Sequence, residues 1–477
     1  MATSAGLWPR GEAAGSPSPL DRAAGSDAAM AAAAVCLALV AAFAVANGLW
    51  EFLIAFVAVF GSVALYLCWP TAGLTAVLVL WVVAPFLRRL FDYFSFSLDP
   101  DVLSIAPFVA TGLVGVIAWR RARPSPRATM VFGVTCAGLA VGLPFGLLDP
   151  MPLAFATLAY GSAACALFIG YADGRRDRPV IDRVLLGLLP LVAAYALYQY
   201  LSPRLPGWDE LWIRTSGIKT IGDKDDGTFR AFGTLNSPVT LATFTAMVVA
   251  MAVVAARLGP VRIAGAAAAL AVLFFTGVRS AWLALGVTLV ALVLVTGGRV
   301  MARVLVLLVI LGGLYLVAGG STAGQQVIDR ASTLTTLSGS GAETDVSLTQ
   351  RLNQVTVFGP RGLAAPLGHG LGSVGQAAKV SSRSDAAPFA DNGFLMLLWQ
   401  VGPGGFLLVV GALGWALVTS LRGGSAADRA RRLPYVAPLV AGGVLMLASD
   451  SLYGLSAVII WYCVGALLSL TEADGRR

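Results

Sequence analysis

Two arginines stand in distinctive local sequences beside apolar runs. Arg230 opens Arg230-Ala231-Phe232-Gly233-Thr234-Leu235-Asn236-Ser237-Pro238, and Arg279 lies in Thr276-Gly277-Val278-Arg279-Ser280-Ala281-Trp282. A guanidinium keeps its charge at any relevant pH, and its planar fork binds phosphate oxygens two at a time. A group of such forks suits a diphosphate and could stabilise it as a leaving group by electrostatics alone, without a metal. The plain alternative for any one of them is an interfacial side chain reaching lipid phosphate. Arg351 opens an amphipathic stretch after Glu343 and Asp345, where a solvated face is the plain reading. Arg214 and Lys219 share a polar segment with Arg230 and are further candidate substrate contacts.

A second set lies downstream. Gly368-His369-Gly370-Leu371-Gly372-Ser373 has glycines that let the backbone turn tightly or approach a ligand. No βαβ unit surrounds it, so a dinucleotide fingerprint is excluded. His369 is the single histidine of the chain and is a candidate base, although a lone histidine is more often structural. Asp391 and Asn392 begin Asp391-Asn392-Gly393-Phe394-Leu395, ahead of Gly402-Pro403-Gly404-Gly405. Either residue suits a helix cap. Alternatively Asp391 faces a cavity as general base, its pKa raised by an apolar wall and lowered by nearby arginines. The Gly-Pro run predicts a kink. Asp450 reads as a turn residue. No Walker A motif, paired cysteines or metal-spaced histidines occur, so neither a metal nor another cofactor is expected.

These residues must be positioned by membrane helices. The chain is 57% hydrophobic and 12% charged, with a mean hydropathy of +0.80. A soluble protein could not hide so much apolar surface. A bilayer core needs roughly 20 apolar residues per helix. Candidate spans are 29–49, 51–69, 71–87, 102–119, 128–147, 153–171, 184–201, 238–257, 260–277, 281–298, 304–320, 393–416, 434–450 and 452–470. The expected fold is therefore all-α and polytopic, with about fourteen transmembrane helices. The first run is long enough to span and reads as a retained anchor rather than a signal peptide.

Placing the N-terminus inside puts the clusters at Arg120–Arg127, Arg175–Arg183, Arg257–Arg262, Arg299–Arg303 and Arg422–Arg432 on the inner side, as the positive-inside rule requires. Both termini are then cytoplasmic. The expected organisation is a disordered tail (1–28), N-terminal spans (29–201), a periplasmic loop (202–237), central spans (238–320), a long outer loop with short helices (321–392), C-terminal spans (393–470) and a short tail (471–477). The net charge of +8 lies largely in short loops that set orientation, so no nucleic-acid partner is expected. The five cysteines fall inside apolar runs and read as packing residues.

The ordered set formed by the Arg230 and Arg279 segments, Arg351, Gly368–Ser373 and Asp391–Leu395 resembles the O-antigen ligase and O-antigen polymerase superfamily of bacterial envelope polysaccharide enzymes, over roughly residues 184–420. The resemblance implies a metal-independent glycosyltransferase of the inner membrane, acting at its outer face on a glycan carried by undecaprenyl diphosphate. It implies that Arg230 and Arg279 engage the diphosphate. The expected site is then Arg230, Arg279 and Arg351 on the diphosphate, Asp391 or His369 as the base, and Arg214, Lys219 and Asn392 as further substrate contacts. Asp391 stands where the ligase branch has histidine, which is closer to the polymerases. The partners implied are the bilayer, the lipid-linked glycan, and a chain-length regulator and flippase of the same pathway. A ligase, and from another class a lipid-linked glycan transporter, are the alternatives. A transporter should line a path with charges deep in several spans, whereas here charge concentrates at the outer edge.

Overall fold

A computed structural model describes residues 50–95, 102–176, 179–216, 218–224, 228–255, 260–296, 300–306, 346–380, 392–422 and 425–474, with a few isolated residues between 307 and 313. The chain divides into two units, 1–57 and 58–477. Of the first, only the opening turns of one helix are described. No strand occurs among the described residues. The main helices are α1 (Trp50–Cys68), α2 (Pro70–Ser95), α3 (Val102–Ala122), α4 (Pro126–Ala140), α5 (Pro150–Gly174), α6 (Ile181–Leu201), α7 (Gly207–Thr215), α8 (Pro238–Val254), α9 (Pro260–Phe275), α10 (Arg279–Thr296), α11 (Val346–Ala364), α12 (Gly393–Leu421), α13 (Ala426–Leu445) and α14 (Gly454–Asp474).

Eight of these, α1, α2, α3, α5, α6, α10, α12 and α14, are long and apolar enough to cross a membrane. Such an all-helical set is the architecture of a polytopic membrane protein, because a helix satisfies its own backbone groups where water is absent. Twelve expected spans coincide with described helices. The expected span 29–49 lies outside the described residues, and 304–320 lies largely outside them.

Two boundaries differ most from expectation. Helix α13 begins at Ala426 rather than near 434, so Arg429, Arg431 and Arg432 sit on its first turns instead of in a loop. A capping box starts it there, with Ser425 and Asp428 each bonding the other's backbone N–H. Helix α2 runs on to Ser95 rather than stopping near 87, and carries Arg88 and Arg89 within it. Partners on other elements make those charges tolerable.

At the centre stands α14, buried along most of its length. It runs parallel to α5, and the two backbones nearly touch. A Cβ on Gly170 would fall 1.9 Å from the Tyr462 carbonyl oxygen, and one on Gly465 would fall 1.8 Å from that of Leu167. Lipid removes the hydrophobic drive between helices, so small residues that permit close van der Waals packing decide which helices associate. At the rim, α10 exposes Leu283, Val287, Val290 and Leu294 at helical spacing, an apolar stripe suited to lipid.

Contacts within residues 58–477 define two ends of the bundle. At one, arginines donate to the last carbonyls of helices: Arg121 to Tyr66 and Leu67, Arg175 to Ala122, Arg303 to Val253 and Ala255, and Arg432 to Ser420. Cations there complement both the unpaired carbonyls and the helix dipole. The other end gathers the candidate chemistry.

Candidate functional site

The arginine side of the site is built on a buried ion pair. Arg89 of α2 meets Asp209 of α7 at 2.8 Å, with both side chains fully buried. The second Arg89 nitrogen donates to the Gly233 carbonyl at 2.7 Å, and the guanidinium lies 4.8 Å from the Phe232 ring centre. Asp209 also accepts from the Tyr195 hydroxyl at 2.7 Å and from the Gln199 amide at 2.8 Å. Gln199 in turn accepts from Gly233 N–H at 2.7 Å. The desolvation cost of two buried charges is offset only when further hydrogen bonds satisfy them, as here. The consequence is local: the segment just after Arg230 is clamped from α2, α6 and α7 at once. Two adjacent arginines directly after an apolar run are the sequence signal for this clamp, and neither is among the candidate residues named from the sequence.

Residues 202–237 have a small core of their own, formed by Trp212, Ile221, Phe229 and Phe232. Arg230 N–H donates to the Ile221 carbonyl at 2.8 Å, which ties Arg230 back to the turn Lys219–Ile221. Ala231 N–H donates to the Phe275 carbonyl at 3.4 Å, which joins the Arg230 segment to the end of α9, just before Arg279 opens α10. Trp282 donates to the Leu273 carbonyl at 2.8 Å and stacks on Phe274, fixing the α9–α10 corner. The side chains of Arg230 and Arg279 are both partly buried. Arg214 is exposed on α7 and pairs with Glu210 at 3.9 Å, one turn back on its own helix. The side chains of Lys219 and Arg351 lie outside the described residues, although their helical backbones are described.

The second cluster is organised by the kink in α12. Gly402 has φ 67° and ψ 177°, a conformation that breaks the helix at the place the Gly-Pro run predicts. The chain after α11 lies in this notch, where a Cβ on Gly402 would stand 2.4 Å from the Pro366 carbonyl oxygen. From there the Gly-rich loop is pinned to α12. His369 N–H donates to the Trp399 carbonyl at 2.8 Å, and its ring stacks on Trp399 with centres 3.7 Å apart. The Gln400 side chain accepts from Gly372 N–H at 2.9 Å and donates to the Tyr160 hydroxyl at 3.1 Å. His369 is exposed.

Asn392 caps α12, accepting from Leu395 N–H at 3.1 Å, and its amide donates to the Leu447 carbonyl at 3.1 Å. Gly393 N–H donates to the Met446 carbonyl at 2.8 Å. The head of α12 is thereby stitched to the turn between α13 and α14. Asp391 lies outside the described residues. That turn carries Asp450, whose Cα stands 3.4 Å from where a Cβ on Gly393 would be. Beneath it, Tyr453 contacts the rings of Phe108, Phe155 and Tyr160.

The structure therefore brings the Arg230 and Arg279 segments together, and separately brings His369, Asn392 and the Gly-rich loop together. Helix α2 runs past both groups. Its Trp81 packs on Phe108 beside Gly454, and Arg89 lies two turns on, about 12 Å along the axis at 1.5 Å per residue. Among the described residues, no three His, Cys, Asp or Glu side chains converge as a metal site would require. No family model matches the chain, and no curated protein matches it significantly.

Proposed function

We propose that the protein is a polysaccharide polymerase of the bacterial inner membrane, joining oligosaccharide repeat units carried on undecaprenyl diphosphate. The observation that carries this reading is the backbone contact between Ala231 and Phe275, which sets the Arg230 and Arg279 segments side by side. Two forked cations at one helix corner match the two phosphates of a lipid diphosphate. Arginine clusters at the opposite end of the bundle agree with that end facing the cytoplasm, which turns the candidate site outward. Fourteen crossings with both termini inside complete this topology.

In the reaction, the acceptor sugar hydroxyl attacks the anomeric carbon of the donor sugar and the bond to the diphosphate breaks. Arg230 and Arg279, with Arg351, hold the departing charge. A base at the head of α12 takes the hydroxyl proton; Asp391 and His369 are the sequence candidates. Direct displacement inverts the anomeric configuration. The Gly-rich loop and α11 flank the acceptor side, and neither a metal nor another cofactor enters.

The test uses purified protein in detergent with lipid-linked repeat units, chelator and no energy source. A ladder of lengthening glycans is expected. A single transfer to an added acceptor would instead indicate a ligase. Movement of lipid-linked glycan across vesicles without a new glycosidic bond would indicate a transporter.

A further inference from the structure

We propose that the Asp450 carboxylate, rather than Asp391, takes the proton from the acceptor hydroxyl; the inference rests on the transferase reading above. Three observations support Asp450 as that base. It lies in the turn between α13 and α14, outside both helices, and the head of α12 is tied to that turn by Asn392 and Gly393. It faces the Gly-rich loop, where a Cβ on Gly375 would stand 4.0 Å from an Asp450 carboxylate oxygen. It is partly buried within electrostatic reach of Tyr160 and Tyr453, whose rings contact each other.

Among the described residues, no cation packs against Asp450. Tyr160 of α5 and Tyr453 interact with it electrostatically, and Met396 of α12 with Gly375 offers no charge. Burial pushes the Asp450 carboxyl up to about 7, against a backbone hydrogen bond from Leu452 that pulls it down. A base with that affinity exchanges protons readily at neutral pH.

The step balances as follows. The acceptor oxygen forms a bond to the anomeric carbon, and the bond from that carbon to the diphosphate oxygen breaks. The electron pair leaves with undecaprenyl diphosphate. The hydroxyl proton goes to Asp450 and then to solvent.

The test measures donor binding and single-turnover rate against pH for reconstituted wild-type protein and for Asp450→Asn, Asp450→Glu and Asp391→Asn, with undecaprenyl-diphosphate-linked repeat unit as probe. The wild-type rate is expected to rise through about pH 7 and level off. Asp450→Asn should lose about 100-fold or more in rate, the usual range for a missing base, while donor binding holds. Asp450→Glu should retain binding and shift the pH limb; a limb that moves in Asp391→Asn and stays in place in Asp450→Glu assigns the proton to Asp391 and overturns the proposal. An unmoved limb at full rate in either Asp450 variant overturns the assignment, as does donor binding lost in step with rate. Wild-type protein that binds donor yet forms no glycosidic bond overturns the transferase reading itself, and the assignment with it.

Discussion

Arg89 and Asp209 illustrate what a charge must find before it can sit among apolar helices. Asp209 accepts from three side chains, and Arg89 adds a backbone carbonyl and an aromatic face. Removing one partner leaves the other buried and uncompensated, a change that typically costs about 3–5 kcal/mol. Asp209→Leu should therefore lower the thermal transition in detergent sharply, and Arg89→Met/Asp209→Leu should lose less than the sum of the single changes. Additive losses would show the pair to be uncoupled. This pairing was not legible in the sequence, since the partners lie far apart in the chain and only folding brings them together. Arg230 and Arg279 were legible, because each marks the edge of an apolar run. Arg279→Lys should slow glycan transfer about tenfold or more, since a point charge does not reproduce the guanidinium fork. A rate within twofold of wild type would remove Arg279 from the site. Asp450 makes a separate demand on stability. Its folded pKa is raised, so between about pH 4 and about pH 7 the folded chain holds a proton that the unfolded chain has lost. Stability should fall as pH rises through that window and then level, and Asp450→Asn should flatten the slope.

At the scale of elements, composition told more than position. The Gly402-Pro403 kink follows from residue types alone, and Gly402 does adopt a backbone conformation that a side chain resists. What residue types could not convey is its use: the notch receives the chain at Pro366 and Gly368 and so fixes the Gly-rich loop. Gly402→Ala should destabilise the protein by about 1–3 kcal/mol from backbone strain alone. Gly411→Ala, in open space on the same helix, should be neutral or slightly stabilising. Equal thermal transitions for the two variants would contradict this account of the kink. The start of α13 differs from expectation for a definite reason. Arg429, Arg431 and Arg432 look like loop residues, yet Arg432 is buried with its guanidinium on the Ser420 carbonyl. A cation that caps a neighbouring helix does not need a loop.

For the molecule as a whole, apolar runs of the right length were enough to anticipate an all-helical bundle with helices long enough to span a membrane. The grouping of chemistry at one end was half legible, since alternation along the chain sends Arg230, Arg279 and the head of α12 to the same end. Which of them touch was not, because register between distant helices depends on close contacts such as Gly170 against Tyr462. Orientation in the membrane has its own test. In a cysteine-free background, an impermeant maleimide applied to intact spheroplasts should label Lys224→Cys and spare Arg429→Cys. The reverse pattern would invert the topology and place the site in the cytoplasm. The most direct measurement of the central claim is stoichiometric. Purified protein is given one homogeneous lipid-diphosphate-linked repeat unit, and released undecaprenyl diphosphate is counted against glycosidic bonds formed. One bond per lipid released, with both lost together in Arg230→Ala and Arg279→Ala, is the result expected. Bond formation that persists in both variants, or lipid release without any bond, would contradict it.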